Sequence, residues 1–127
     1  MGSAFETHGA VSWHELTTSD PGDAVRFYGQ LFGWQFKAME MGQGTYHVIE
    51  VDGQGIGGIM AAADVQMPTA WTGYVTVSDV DEVAANVAKL GGELVYGPED
   101  IPNIGRFCWL KDPQGAMIAA ISYVQPE

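Results

Sequence analysis

The sequence predicts an α+β domain: two tandem βαβββ modules whose strands form a curled antiparallel sheet cleft with the helices outside. Three observations carry that expectation. The stretch Ser19 to Trp34 reads as a helix marked at both ends, the stretch Ser78 to Gly92 repeats its parts 59 residues on, and Asp52-Gly-Gln-Gly-Ile56 returns as Asp112-Pro-Gln-Gly-Ala116 at an offset of 60. Helices covering one face of strands joined by tight turns make an α+β layer arrangement. Two copies of about 60 residues suit a paired-module domain better than a solenoid.

The first helix has an Asp20 cap, Pro21 at the first helical position and Asp23 beside the positive dipole end. Ala24, Phe27, Tyr28 and Leu31 form one apolar stripe at helical period, and Gly33 stops it. In the second copy Asp79 sits over Asp20, Leu90 over Leu31 and Gly92 over Gly33, with Val80, Val83, Val87 and Leu90 as the stripe. Before the first helix, 1–9 reads as a loose tail and Val11 to Thr17 as a strand. Its alternation puts Trp13, Glu15 and Thr17 on one face and Ser12, His14 and Leu16 on the other.

Phe36 to Met41 and Thr45 to Val51 read as a hairpin through Gly42-Gln43-Gly44, and Ile56 to Ala62 as a Gly-softened strand after the Asp52 turn. Module one is expected over 9–64, a linker over 65–69 and module two over 70–124. Module two reads as strand Trp71 to Val77, helix Val80 to Leu90, strand Glu93 to Tyr96, a loop over 97–105, strand Arg106 to Leu110 and strand Ala116 to Tyr123.

At 127 residues, 46% hydrophobic and 17% charged, the chain is globular, and neither half could bury enough surface alone. A net charge of −11 with only five Lys and Arg excludes nucleic acid as a partner, while it suits solubility or the attraction of a cationic ligand. Cys108 is the one cysteine, so neither an internal disulfide nor a thiolate cluster is expected. No signal-peptide pattern and no apolar run near 18 residues occur, which predicts a cytoplasmic chain that does not engage membrane.

Phe27-Tyr-Gly-Gln-Leu-Phe-Gly-Trp34, Leu90-Gly-Gly92 and Asp112-Pro-Gln-Gly115, set in paired βαβββ modules, resemble the vicinal oxygen chelate superfamily. That group holds glyoxalase I, the bleomycin-resistance proteins, fosfomycin-resistance enzymes and extradiol dioxygenases. The likeness covers Val11 to Tyr123. The resemblance implies a cleft between the modules and, in metal-using members, one ligand on the first and fourth strand of each module. Those positions land on Trp13, Ile59, Thr72 and Ala119, which supply no metal donors, so the expectation is no metal and no other cofactor.

The expected ligand-binding set is Trp13, Glu15, Thr17, Ile59, Trp71, Thr72, Tyr74 and Met117, with Gly57 and Gly58 leaving room beside it. Glu15 is the candidate catalytic or anchoring carboxylate; the alternative is a Glu satisfied by backbone or by Arg106. His14 reads as a core or rim histidine, and His47 and Glu50 fall on opposite strand faces. Cys108 reads as a small buried hydrophobe. The first function expected is metal-free binding of a small aromatic or cationic molecule. The alternative is a lyase, isomerase or hydrolase acting on a small oxygenated metabolite with Glu15 as base. A homodimer is expected, because exposed strand edges are usually paired or covered.

Overall fold

A computed structural model describes residues 3–40, 44–62, 69–101 and 104–124. Residues 65–68 of the expected linker and the Gly42-Gln43 turn expected from sequence lie outside these residues. The chain forms two compact units, one over 13–72 and one joining 1–12 to 73–127.

In the first of these, β1 (Val11–Thr18), α1 (Pro21–Phe32), β2 (Gln35–Glu40), β3 (Thr45–Val51) and β4 (Gln54–Ala61) follow in sequence. Their order in the sheet is β2-β3-β4-β1. The hairpin strands pair antiparallel, but β1 and β4 pair parallel, with Glu15 opposite Gly58 and Leu16 opposite Ile59. The parallel pair follows from the connection: α1 carries the chain over to β2, which runs in the direction of β1, and two tight reversals return β4 to that direction. The sheet is therefore mixed rather than wholly antiparallel. Asp52 (φ 52°) and Gly53 (φ 76°) form the tight β3–β4 turn, the left-handed pair that matches strand twist.

Helix α1 has the ends that its sequence predicts. The Asp20 carboxylate accepts from the Asp23 amide at 3.0 Å, and Gly33 closes the helix at φ 74°. Its inner face is not the expected stripe. Ala24, Val25 and Tyr28 pack with Trp34 and Phe36 on Leu16, Ile49 and Ile59, whereas Phe27 and Leu31 stay 55% and 58% exposed.

The other unit repeats the plan with β5 (Ala70–Thr76), α2 (Val80–Asn86), β6 (Glu93–Ile101), β7 (Gly105–Lys111) and β8 (Met117–Tyr123), in the order β5-β8-β7-β6 with β5 and β8 parallel. Helix α2 is shorter than expected and ends at Asn86, leaving Leu90 78% exposed. The expected 97–105 loop is instead largely strand, since β6 runs to Ile101 against β7 with two irregularities in register. Val77, Val80, Cys108 and Ala120 form the core beneath α2.

The N-terminal stretch is docked, not loose. Phe5 meets the edge of Tyr123 at 5.1 Å, and the Gly9 amide donates to the Thr76 carbonyl at 2.7 Å. Three hydroxyls join this region: Tyr123 Oη lies 2.7 Å from Ser12 Oγ, which lies 2.8 Å from Thr76 Oγ1, which donates to the Ala4 carbonyl at 2.7 Å. A hydroxyl has one proton, and a carbonyl can only accept. Thr76 therefore donates to Ala4 and accepts from Ser12, leaving Tyr123 to donate to Ser12.

Candidate functional site

Strand alternation places Trp13 and Glu15 on the sheet face opposite α1, and the residue that joins them comes from β3. The Trp13 indole Nε1 donates to Tyr46 Oη at 2.9 Å, and Tyr46 Oη donates to Glu15 Oε2 at 2.8 Å. The direction is fixed because an indole N–H has no acceptor function. Glu15 is only 6% exposed, so its carboxylate lies beneath the phenol rather than lining an open wall. Burial strengthens a charge-assisted hydrogen bond and raises the cost of leaving either partner unpaired.

Tyr46 can occupy this place because Gly58 has no side chain. A Cβ at Gly58 would stand 2.1 Å from Tyr46 Oη and 2.2 Å from its ring carbons. Next to it, a Cβ at Gly57 would stand 2.2 Å from the His14 carbonyl oxygen. The space that the two glycines open is thus taken by the chain's own tyrosine and backbone, not left for a ligand. Tyr46 was the member of this cluster that sequence reasoning missed. Its signal was a β3 aromatic two residues from Val48, the register partner of Gly58, so that its ring lies diagonally over that glycine, a relation that needs the register to be seen.

The remaining expected residues divide between the two faces. Ile59 is fully buried with Leu16 and Ile49 under α1, on the opposite face from Glu15. Ile59 stands one residue past the strand position that matches Ala119: Tyr74 pairs with Ala119 as Glu15 pairs with Gly58, so Gly58 is the counterpart. Trp71 also lies on the helix side, its Nε1 donating to Tyr28 Oη at 3.2 Å and its ring 6.1 Å from Trp34. Thr17 is buried and its hydroxyl donates to the Ala70 carbonyl at 3.4 Å. Thr72 is half-buried, and alternation sets it on the face of Tyr74.

In the other unit Tyr74 is buried, with its Oη accepting from Trp109 Nε1 at 2.8 Å. The Phe107 ring lies 6.4 Å from that of Tyr74, and Tyr96, Phe107 and Trp109 lie 5.6–6.0 Å from one another. Met117 begins β8 on the same face as Ala119 and is half-buried. His14 is exposed rather than in the core. Arg106 holds Asp81 through two bonds of 2.9 and 3.0 Å and Asp100 at 3.2 Å, which depresses the Asp81 pKa. Cys108 is completely buried, and desolvation pushes its thiol pKa up, the reverse of a poised nucleophile.

The resemblance implies a metal in some members, and this donor set does not fit one. No group of three or more His, Cys, Asp and Glu side chains is placed to hold an ion among the described residues. With Gly58 replacing Ile59, the four strand positions still offer an indole, a glycine, a threonine and an alanine.

Two βαβββ units, each with a parallel outer pair and a helix on one face, define the class. Residues 10–120 match the sequence model of the Glyoxalase/Bleomycin resistance protein/Dioxygenase superfamily, and the chain belongs to that superfamily. Among its relatives, "Putative glyoxylase CFP32" of Mycobacterium tuberculosis is 37% identical over 114 residues, 89% of this chain and 44% of that protein. Anthracycline biosynthesis protein DnrV of Streptomyces peucetius is 29% identical, covering 87% of this chain and 46% of that protein. The chain thus spans under half the length of these curated relatives. Methylmalonyl-CoA epimerase from Mycobacterium tuberculosis shares the fold, with a TM-score of 0.64, 18% identity and coverage of 92% of this chain and 89% of that one.

Proposed function

We propose that this protein binds a small aromatic or cationic molecule without a transition metal, against the β1–β3 face that carries Trp13 and Tyr46. The observation that carries the reading is the Tyr46 hydroxyl, locked between the Trp13 indole and the Glu15 carboxylate. Two aromatic rims are held rigid over a buried negative charge. Such an arrangement favours a cation, through ring contacts of ~0.5–2 kcal/mol and the field of the carboxylate. A relative named for anthracycline biosynthesis supports an aromatic ligand, and anthracyclines that carry an amino sugar combine a planar ring system with one protonated amine.

Titration of Trp emission with an amino-sugar anthracycline tests this. Glu15→Gln keeps the shape and removes the charge, and it should weaken binding about tenfold while the neutral aglycone is affected much less. Equal affinity of wild type and Glu15→Gln for the cationic compound would refute the proposal.

The same donor chain supports a second reading, an enzyme with Glu15 as the ultimate base. Tyr46 Oη would take a proton from a small oxygenated substrate as its own passes to Glu15. In that case Tyr46→Phe retains substrate affinity and loses turnover, whereas in a binder it lowers affinity alone.

A further inference from the structure

The unit that joins 1–12 to 73–127 holds a cleft of about 530 Å³ beside α2, within the ~300–1,000 Å³ that small-molecule pockets occupy. One wall is a single face of α2 and the turn after it, where Asp79, Glu82, Val83, Asn86, Val87 and Leu90 recur at steps of three and four. The other wall is Leu110 and the turn that begins at Asp112, whose Pro113 lies 3.6 Å from where a Cβ on Gly91 would stand. His8 closes one end. Its Nδ1 accepts from the Ser78 amide at 3.0 Å, so the proton of the neutral ring sits on Nε2.

The internal repeat supplies a control for what the fold itself requires. In module one, Tyr28 and Trp34 stack at 5.6 Å and pack on Leu16, Ile49 and Ile59. At the offset of 59 their counterparts are Val87 and Glu93. Module two has neither ring, and the space beside its helix stays open. The cleft is also on the helix side of the sheet, since Leu110 faces α2 and Trp109, next to it, faces away. It is therefore a different surface from the one that carries Tyr74 and Trp109.

We infer that this cleft binds a small aliphatic amine as its ammonium ion, with the hydrocarbon body along Val83, Val87, Leu90, Leu110 and Pro113 and the charge at Glu82. The lining selects that chemistry. Its apolar members are all aliphatic, which suits a flexible hydrocarbon rather than a planar ring. Three carboxylates stand around them. Asp79 caps α2 through the Glu82 amide at 3.2 Å, and Asp112 holds the Gln114 and Ala116 amides at 2.9 Å. Glu82 has no side-chain hydrogen bond or ion pair among the described residues, so it is the carboxylate available to a ligand. Lys111 does not offset them, because strand alternation from Cys108 and Leu110 directs its side chain to the other sheet face. An anion would meet this rim and a chain of net charge −11.

The test is calorimetric titration of the intact chain with three probes that share one eight-carbon tail: octylammonium, octanol and octanoate. Amide shifts in NMR locate the bound probe. Saturable binding of octylammonium is expected, at least tenfold tighter than octanoate and weakening with salt, with shifts confined to 78–92, 110–113 and His8. Glu82→Gln should reduce the preference for octylammonium over octanol at least fivefold while octanol itself binds as before. Val87→Tyr places the module-one side chain in the cleft and should abolish binding of all three. Should that variant fold poorly, Leu90→Ser removes apolar lining at a position already 78% exposed and should weaken every probe alike. Equal affinity for the three probes, absence of saturable binding, or shifts on β1 and β3 instead of α2 would overturn the inference. An unchanged preference in a folded Glu82→Gln variant would overturn it as well.

Discussion

Glu15 shows how one buried carboxylate organises its surroundings. Its hydrogen bond from Tyr46 and the Trp13 bond behind it give both aromatic side chains a single orientation, which a ligand then meets without an ordering cost. Gly58 is the least replaceable position of this cluster. Gly58→Ala sets a methyl group 2.1 Å from Tyr46 Oη, so the ring must leave, and we expect a loss of about 1–3 kcal/mol in denaturant unfolding with a shift in Trp emission. Unchanged stability and spectrum would mean that Tyr46 is not seated there. Cys108 predicts the opposite of reactivity: buried and with a raised pKa, it should resist thiol reagents at neutral pH and react only at the rate of unfolding. Rapid stoichiometric labelling of the native protein would contradict that.

At the scale of elements, the two helices share one start signal and differ in their ends. Asp20 accepts from the Asp23 amide at 3.0 Å and Asp79 from the Glu82 amide at 3.2 Å, so Asp20→Ala and Asp79→Ala should each cost ~0.5–2 kcal/mol. Gly33→Ala isolates backbone strain. Nothing lies within 4 Å of the added Cβ, so the left-handed φ of 74° alone sets a cost of about 1 kcal/mol. Chemical denaturation of the three variants checks these values. A neutral Gly33→Ala would show that the helix end rearranges.

For the whole molecule, the docked N-terminal stretch makes stability depend on pH at the alkaline end. Burial raises the pKa of Tyr123 above the ordinary phenol value. A group whose folded pKa is raised above its unfolded value near 10 contributes stability that is complete below that value and lost as pH rises through the folded pKa. Unfolding free energy should therefore fall above about pH 10, and Tyr123→Phe should flatten this part of the fall while removing one donor to Ser12. Thr76→Val breaks the hydroxyl chain at its centre and leaves the Ala4 carbonyl without that donor, a loss of ~1–3 kcal/mol with early exchange of the Gly9 amide. An unaltered alkaline limb in Tyr123→Phe would remove this explanation.

The sequence by itself determined the duplicated plan, the starts of both helices, the Gly33 stop and the tight Asp52 turn. Each depends on neighbours in the chain: a cap reaches three residues, and a turn needs only its own backbone angles. It also placed Trp13 and Glu15 on one face, since strand alternation is local. What required tertiary structure was register. Gly58 rather than Ile59 stands beside Glu15 because β1 and β4 pair in one particular alignment, and a slip of one residue reverses every side chain on a strand. Tyr46 joined the cluster for the same reason, across strands separated by 31 positions from Glu15. The division of the α1 stripe was equally invisible, because periodicity marks which residues are apolar but not how wide a face the sheet can cover. Tyr28 falls within that width and Phe27 beyond it, and burial is settled only when the packed surfaces meet.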